Sequence, residues 1–414
     1  MPTNRKIVNF LAALWIAVRR CSVVVTLAGL WHARTIAEEP DKVLFQQHLP
    51  KVPAHVMAEV TLLGKPCIMI LDTGAGIVTL DKSLTKAILS NIGETNVMLA
   101  DGSTQTMTIF EGASLKLDQL SIDRPAITFS DLGRYSLYTG RPLSGVIGMN
   151  ALSVGKIFMS HDEGIFQVHI GPWKLDKFDC QEIELEKDSP AAVIKTDILG
   201  HSAKFTVDTG MDDCIRLEAE VFDALVKEGA IEPAKVNART LSLTGMTSST
   251  RGWFLKGELM GKKLAGVTVV SNAKASILGL AWLYGFNMEI DFTKRKLRYQ
   301  LRRDAKLPGS VAMTLGAILL YEGSGAQIER LRPSGGAAED AGLKPGDVIE
   351  KFGDIKAGAM NAAVMGEAVA DAAGKEVAVR FLRKSDGERV NTKLKLPPNI
   401  SEWNFSGRER SNEK

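Results

Sequence analysis

The pattern of apolar and polar positions repeats along the chain. Residues 58–74 read AEVTLLGKPCIMILDTG and residues 194–210 read IKTDILGHSAKFTVDTG. Both segments carry a Leu-Gly pair whose glycine lies eight residues before an aspartate (72 − 64 = 208 − 200 = 8), and both continue as an apolar run into Asp-Thr-Gly. A glycine turn followed by a short apolar run predicts a buried strand that ends at Asp-Thr-Gly.

The same order of landmarks continues downstream of each Asp-Thr-Gly. Gly145-Val-Ile-Gly148 matches Ser276-Ile-Leu-Gly279, and a strand-turn-strand pattern follows at 157–166 and at 288–297. A repeat with four ordered landmarks predicts two copies of one structural unit. We therefore predict two homologous β-rich lobes, over residues 41–173 and residues 180–303.

Composition supports a β-rich chain and argues against nucleic-acid binding. The 38 glycines favour many short strands and turns. The net charge of +3 comes from residues 1–37, which carry five basic residues and no acid. Without them 46 basic residues (51 − 5) face 48 acidic ones, a net charge of −2. A nearly neutral chain predicts no nucleic-acid partner.

The first 37 residues resemble an export signal. Arg19-Arg20 precede the apolar run 22–30, and Thr35-Ile36-Ala37 resembles a cleavage triplet, so we place the cut after Ala37. A second apolar stretch at 7–18 leaves an alternative, in which the leader stays uncut and associates with the membrane. Both alternatives predict an exported protein of the periplasm or cell envelope.

The cysteines and histidines predict no metal site. Three cysteines follow the leader: Cys67, Cys180 and Cys214. An odd number of cysteines allows one disulfide among them, and the sequence does not identify which two would form it. No Cys or His pair has metal-ligand spacing. We expect no metal, no cofactor, and surface or structural roles for the six histidines.

The two repeated aspartates suggest acid–base chemistry. Asp72 and Asp208 each follow an apolar strand, and the glycines after the threonines allow a close backbone approach. Two carboxyl groups brought face to face share one proton and titrate as a pair. One can then activate a water as general base while the other donates a proton. Which aspartate is the base stays open at this point.

These motifs resemble the aspartic protease superfamily, and Asp72-Thr-Gly-Ala75 is similar to its retropepsin branch. The resemblance covers about residues 55 to 300. It implies an aspartic endopeptidase built as a pseudo-dimer of two β-barrel lobes that acts on polypeptide substrates. It implies that Asp72 and Asp208 are catalytic and that six residues support them: Thr73, Gly74, Thr209, Gly210, Gly148 and Gly279.

Lobe two departs from the pattern directly after its glycine. Met211 replaces the usual small residue, and Asp212 and Asp213 add negative charge, which raises the pKa of a nearby carboxyl group. Ala75 lacks a hydroxyl group that would donate to Asp72. We therefore expect activity at mildly acidic to neutral pH.

Each lobe has one candidate for a substrate-covering hairpin, or flap. The candidate residues are Asp101, Gly102 and Ser103 in lobe one, and Gly245 and Met246 in lobe two. Turn composition alone fits an ordinary surface hairpin equally well.

Residues 310–397 resemble a PDZ domain of the bacterial protease type. Residues 334–349 read SGGAAEDAGLKPGDVI, the Ala-rich residues 357–373 predict the longer helix, and alternating apolar residues predict a closing hairpin around Ser385-Asp-Gly387. The resemblance implies a small α+β domain that can bind peptide C-termini at a loop of Leu315, Gly316 and Ala317. Packing is the alternative role of these residues. The remaining residues, 398–414, form a polar tail.

The sequence thus predicts a mainly β, exported aspartic endopeptidase with a C-terminal PDZ domain that recruits or gates its substrates. The alternative is an envelope peptide-binding scaffold that keeps the protease fold without catalysis.

Overall fold

The computed structural model describes residues 41–98, 104–176, 179–187, 189–234, 238–242, 245–272, 274–302, 305, 311–332 and 335–398. The predicted leader, its cut after Ala37 and the tail beyond residue 398 lie outside these residues. Strands hold 49% and helices 16% of the chain, which confirms the mainly β class. No helix of the described residues is long and apolar enough to span a membrane.

The first half (residues 42–170) is dominated by a nine-stranded sheet. The strands of this half are β1 (Lys42–His48), β2 (Met57–Leu62), β3 (Lys65–Leu71), β4 (Val78–Asp81), β5 (Ile88–Met98), β6 (Thr104–Gly112), β7 (Leu115–Leu117), β8 (Leu120–Ile122), β9 (Ala126–Ser130), β10 (Leu143–Ile147), β11 (Lys156–Ser160) and β12 (Ile165–Ile170). Its helices are α1 (Gly133–Thr139), α2 (Met149–Leu152) and a 3-10 helix (Lys82–Ala87). The nine-stranded sheet contains all of these strands except β1, β11 and β12. The strand order is β5-β6-β9-β4-β10-β3-β2-β7-β8. The period-2 pattern of β2 buries Ala58, Val60 and Leu62, so this strand pins the predicted hairpin with β3 against the core.

The second half (residues 181–301) repeats the central part of this arrangement. Its strands are β13 (Gln181–Glu184), β14 (Val193–Ile198), β15 (His201–Val207), β16 (Ile215–Glu218), β17 (Ile231–Pro233), β18 (Ala238–Ser242), β19 (Gly245–Ser249), β20 (Arg251–Phe254), β21 (Glu258–Leu259), β22 (Lys262–Lys263), β23 (Thr268–Asn272), β24 (Ser276–Leu278), β25 (Phe286–Asp291) and β26 (Lys296–Leu301); its helices are α3 (Ala219–Lys227) and α4 (Leu280–Leu283). Seven strands form a sheet in the order β14-β15-β24-β16-β23-β20-β17. Strand β15 runs parallel to β24, as β3 runs parallel to β10.

A third sheet takes strands from both halves, in the order β1-β12-β11-β25-β26-β13. The predicted hairpins are β11–β12 and β25–β26, and β11 pairs with β25 across the halves through Ile157 and Ile290. One apolar core runs through both halves, with Phe166 and Trp282 among its fully buried side chains. This shared sheet and core fix one half against the other.

The C-terminal unit (residues 311–398) has its own apolar core around Ile349 and Phe381. Its elements are α5 (Val311–Leu315), β27 (Ala317–Glu322), β28 (Gly325–Leu331), α6 (Ala337–Asp340), β29 (Val348–Phe352), β30 (Ile355–Lys356), a 3-10 helix (Ala357–Ala359), α7 (Ala362–Asp371), β31 (Glu376–Leu382) and β32 (Arg389–Lys395). The strand order is β27-β28-β29-β31-β32, with β30 beside β29, so β27 is an edge strand.

Two predictions for the C-terminal unit need correction. The Ala-rich helix begins only at Ala362, because the Asn361 side chain caps it by accepting from Val364 N–H. Leu315 is not in a loop but ends α5, and it is fully buried. Gly316 follows with a φ of +72°, and β27 begins at Ala317.

Candidate active site

Each Asp-Thr-Gly sits at the end of a strand held by a parallel neighbour. Strand β3 ends just before Asp72, whose N–H donates to the Ile147 carbonyl at 3.0 Å. Strand β15 ends just before Asp208, whose N–H donates to the Leu278 carbonyl at 2.9 Å. The repeat detected in the sequence is thus a repeat of hydrogen bonding, and it presents both aspartates in the same way.

The two threonines cross-link the loops. Thr73 N–H donates to Thr209 Oγ1 at 3.1 Å, and Thr209 N–H donates to Thr73 Oγ1 at 3.2 Å. The Thr73 hydroxyl donates to the Val207 carbonyl at 2.6 Å, and the Thr209 hydroxyl donates to the Leu71 carbonyl at 2.8 Å. Both threonines are buried, so this reciprocal network holds the two loops at a fixed separation.

The carboxyl group of each aspartate packs against the glycine of the other loop. A β-carbon added to Gly74 would lie 2.8 Å from Asp208 Oδ1, and one added to Gly210 would lie 2.7 Å from Asp72 Oδ1. Only glycine leaves room for this approach. The two carboxyl groups are hydrogen-bonded to each other, and both remain partly exposed to solvent.

Burial and mutual repulsion favour a shared proton on this pair. Burial raises the pKa of Asp72, while hydrogen bonds from Asp208 and from the N–H groups of Gly74 and Ala75 (2.8 and 3.0 Å) oppose the rise. Burial and the negative charge of Asp72 raise the pKa of Asp208 well above its ordinary value. The pair therefore keeps one proton to a higher pH than a lone aspartate would.

The glycines Gly148 and Gly279 lie beneath the two loops at matching places. A β-carbon on Gly148 would lie 2.7 Å from the Ala75 carbonyl, and one on Gly279 would lie 2.9 Å from the Met211 carbonyl. The next residue of each, Met149 and Leu280, donates its N–H to the same carbonyl at 2.7 Å.

Two of the residues that depart from the lobe pattern, Met211 and Asp213, have partners other than the aspartate pair. The Met211 side chain is buried with Ala275 and Ile277, so it packs within the second half. Asp213 forms an ion pair with Arg216 at 2.9 Å. Burial raises the pKa of Asp213, but the charges of Arg216 and Arg251 outweigh burial and lower it. The pKa rise of Asp72 thus comes from burial, and that of Asp208 comes from burial and from the negative charge of Asp72.

The candidate flaps are only partly visible. Asp101, Gly102 and Ser103 lie outside the described residues, beyond the Met98–Thr104 pair that ends the β5–β6 ladder. Gly245 and Met246 begin strand β19, and their backbones pair with Ser242 and Leu241 of β18, next to the end of an antiparallel hairpin. Whether this hairpin covers a substrate stays a prediction.

Sequence reasoning missed two residues beside the pair. His55 Nε2 lies 2.9 Å from the Gly210 carbonyl, so it reaches from the first half to the loop of the second. Tyr135 of α1 packs on the apolar cluster that contains Ile70 and Ala75. Burial raises the pKa of Tyr135, and so do the charges of Asp212, Asp72 and Asp208.

The repeat in the sequence gives one indication of the role of His55. His55 stands 17 residues before Asp72, and the matching residue before Asp208 is Ala191 (72 − 55 = 208 − 191 = 17). A difference at a matched position of a repeat marks where the two copies have diverged. Tyr135 belongs to a segment between β9 and β10 that is longer than its counterpart between β23 and β24.

Cys67, Cys180 and Cys214 are free thiols, so the disulfide that the sequence left open is not formed among them. Within the described ranges no group of three His, Cys, Asp or Glu side chains is arranged to hold a metal ion.

Comparison with protein families matches residues 58–151 to the aspartyl protease family. The matched segment contains Asp72-Thr-Gly74 and Gly148, and it supports an aspartyl protease domain and peptide hydrolysis. No curated protein matches the chain.

Proposed function

We propose that this protein is an exported aspartic endopeptidase whose catalytic pair is Asp72 and Asp208. The observation that carries the proposal is the pair itself, with one carboxyl group from each half, hydrogen-bonded to the other and braced by reciprocal threonine hydrogen bonds. A rigid, partly exposed pair with one shared proton is what water activation at a peptide bond requires.

The surroundings of the pair support different roles for its two members. Asp72 accepts from the N–H groups of Gly74 and Ala75 and lies near His55, all of which favour its ionised form. Burial and the negative charge of Asp72 raise the pKa of Asp208, so Asp208 is the member of the pair that keeps the proton. Asp72 then acts as general base on a water between the two groups, and Asp208 protonates the oxygen of the scissile carbonyl.

The C-terminal unit is proposed to be a PDZ domain that recruits or gates polypeptide substrates. Support comes from the edge strand β27, the adjoining left-handed Gly316 and the longer helix α7. The proposed site for peptide C-termini is the junction where Leu315 ends α5, Gly316 turns and Ala317 begins β27. Export to the periplasm or envelope and membrane association through the leader also remain part of this proposal.

The test is cleavage of a mixed peptide library between pH 3 and pH 8 by the chain lacking residues 1–37. Asp72→Asn, prepared in the same way, is the control for contaminating peptidases. The proposal predicts cleavage that Asp72→Asn lacks. If the unmutated chain cleaves nothing at any pH, the non-catalytic peptide-binding scaffold becomes the better account.

A further inference from the structure

Helix α1 lies between the aspartate pair and the C-terminal unit. Tyr135 packs on the cluster of Ile70 and Val146, two residues before Asp72 and Gly148 respectively. Arg134 and Tyr138 are four residues apart and therefore share a different face of the helix. One face of α1 thus packs against the strands that lead to Asp72 and Gly148, and another is turned to the C-terminal unit.

Glu329 of β28 binds that second face with both carboxylate oxygens. Arg134 Nη2 donates to Oε1 at 2.6 Å, and the Tyr138 hydroxyl donates to Oε2 at 2.6 Å. The Glu329 side chain is 20% exposed, so water screens these bonds only in part. Burial raises the pKa of Tyr138, and its hydrogen bond to Glu329 raises it further.

The end of α1 is fitted against the C-terminal unit without spare room. A β-carbon added to Gly140 would lie 2.8 Å from both Tyr321 Cβ of β27 and Asn361 Cα at the start of α7. A second contact comes from the segment after β1, where Lys51 N–H donates to Glu367 Oε1 at 3.1 Å. The C-terminal unit therefore contacts the first half at two places along α7, its start and Glu367.

We propose that Glu329 is a positioning residue of the peptidase site: it holds α1, and through α1 it holds Tyr135 beside the aspartate pair. The inference depends on the proposed peptidase function for its kinetic consequences. A seven-residue helix is not stable alone, so its position depends on tertiary contacts. The C-terminal unit then shapes substrate binding in addition to any recruitment of substrates.

The kinetic test uses the chain lacking residues 1–37 and the library peptide that this chain cleaves fastest. The values of kcat and KM are measured separately. We expect Glu329→Gln and Arg134→Glu each to raise KM by about 3- to 30-fold, with a smaller change in kcat. The charge swap that combines Glu329→Arg with Arg134→Glu should recover most of the loss. Unchanged kinetics in Glu329→Gln, or no recovery in the charge swap, would overturn the proposal.

Glu350→Gln is the matched control. Glu350 lies on β29 of the same unit, is 14% exposed and pairs with Arg380 and Arg389. Glu350→Gln weakens these ion pairs within the C-terminal unit and leaves the contacts of α1 in place, so KM should stay unchanged. A KM rise equal to that of Glu329→Gln would mean general destabilisation and would overturn the positioning role.

A second readout does not depend on activity. Amide hydrogen exchange of α1, including the Gly140 N–H bonded to the Ser136 carbonyl, should speed up in Glu329→Gln and not in Glu350→Gln. If the unmutated chain cleaves nothing, the peptidase proposal fails while this measurement still decides whether Glu329 holds α1. Equal protection of the α1 amides in Glu329→Gln and in the unmutated chain would show that Glu329 does not hold α1.

Discussion

At the scale of single residues, the two aspartates have different surroundings although their sequences repeat. The repeat predicts that Asp72 and Asp208 meet, because equal local sequences form equal strand ends. It does not predict His55, whose matched position holds Ala191. The histidine becomes visible only when the fold brings residue 55 to the Gly210 carbonyl, 155 residues away in the chain.

Replacing His55 should shift the pH dependence of catalysis. Burial is the main influence on the pKa of Asp72, and the charge of His55 lowers it. His55→Gln keeps a hydrogen-bonding group and removes that charge, so the acidic limb of kcat/KM should move to higher pH. His201→Gln, at an exposed pair with Glu228, is the control and should leave the limb in place. An unmoved limb in His55→Gln would show that the histidine does not act on the pair.

Asp208→Asn should stabilise the fold at neutral pH. The raised pKa of Asp208 means that its ionisation costs the folded state free energy, and this cost is absent below its ordinary value of 3.8. The substitution should increase the free energy of unfolding at pH 7 by about 0.5–2 kcal/mol. Urea unfolding at several pH values should show the gain vanishing towards pH 3.8. A loss of stability at pH 7 would contradict the raised pKa.

Asp213→Asn should have the opposite effect. The pKa of Asp213 is lowered by Arg216 and Arg251 against the effect of burial, so its charge stabilises the fold above pH 3.8. Because the carboxylate is partly exposed, its loss should cost about 1–3 kcal/mol at pH 7. The same urea series should show this cost shrinking as the pH falls through the lowered pKa. A cost that stays constant with pH would rule out the ionic explanation.

At the scale of elements, the threonine network joins two loops that the chain separates by 136 residues. Thr209→Val keeps the shape of the side chain but leaves the Thr73 N–H without its acceptor in a buried place. We expect a loss of about 1–3 kcal/mol in unfolding free energy and a lower kcat/KM. Thr209→Ser retains the hydroxyl and should lose much less in both thermal unfolding and peptide cleavage. Equal losses in the two variants would show that the methyl group, not the hydrogen bonding, matters.

Elements with a strong period-2 pattern could be predicted, and short irregular ones could not. Glycine turns and apolar runs define β3, β15 and the hairpins β11–β12 and β25–β26. Helix α1 has the sequence GRYSLYT, which shows no helical periodicity over its seven residues. Its position follows from packing on the first half and on Glu329, so sequence patterns gave no reason to expect Tyr135 near the pair.

At the scale of the whole molecule, two predicted lobes share one sheet and one core. Apolar alternation identifies strands but does not choose their partners, and the β11–β25 pairing joins distant parts of the chain. The sequence therefore predicts two lobes without predicting how they are joined. A shared core means that the two halves should unfold together.

Glu289 offers a test of this shared unfolding. Its fully buried carboxylate accepts from His169 Nε2 of the first half at 2.9 Å and from Leu175 N–H at 2.9 Å. Glu289→Ala should cost about 3–5 kcal/mol, and Glu289→Gln less, because an amide can still accept and donate. Tryptophan fluorescence and far-ultraviolet circular dichroism should report one coincident urea transition in every variant. Separate transitions for the two halves would contradict a common core.

The central claim is that Asp72 and Asp208 act as one catalytic unit. Its most direct test is kcat/KM for Asp72→Asn, Asp208→Asn and the double variant on the best library peptide. Groups that act as a unit are strongly non-additive, so each single variant should lose about 10³-fold or more and the double variant should lose no more than either. Substantial activity in one single variant, or losses that multiply in the double variant, would contradict the shared catalytic pair.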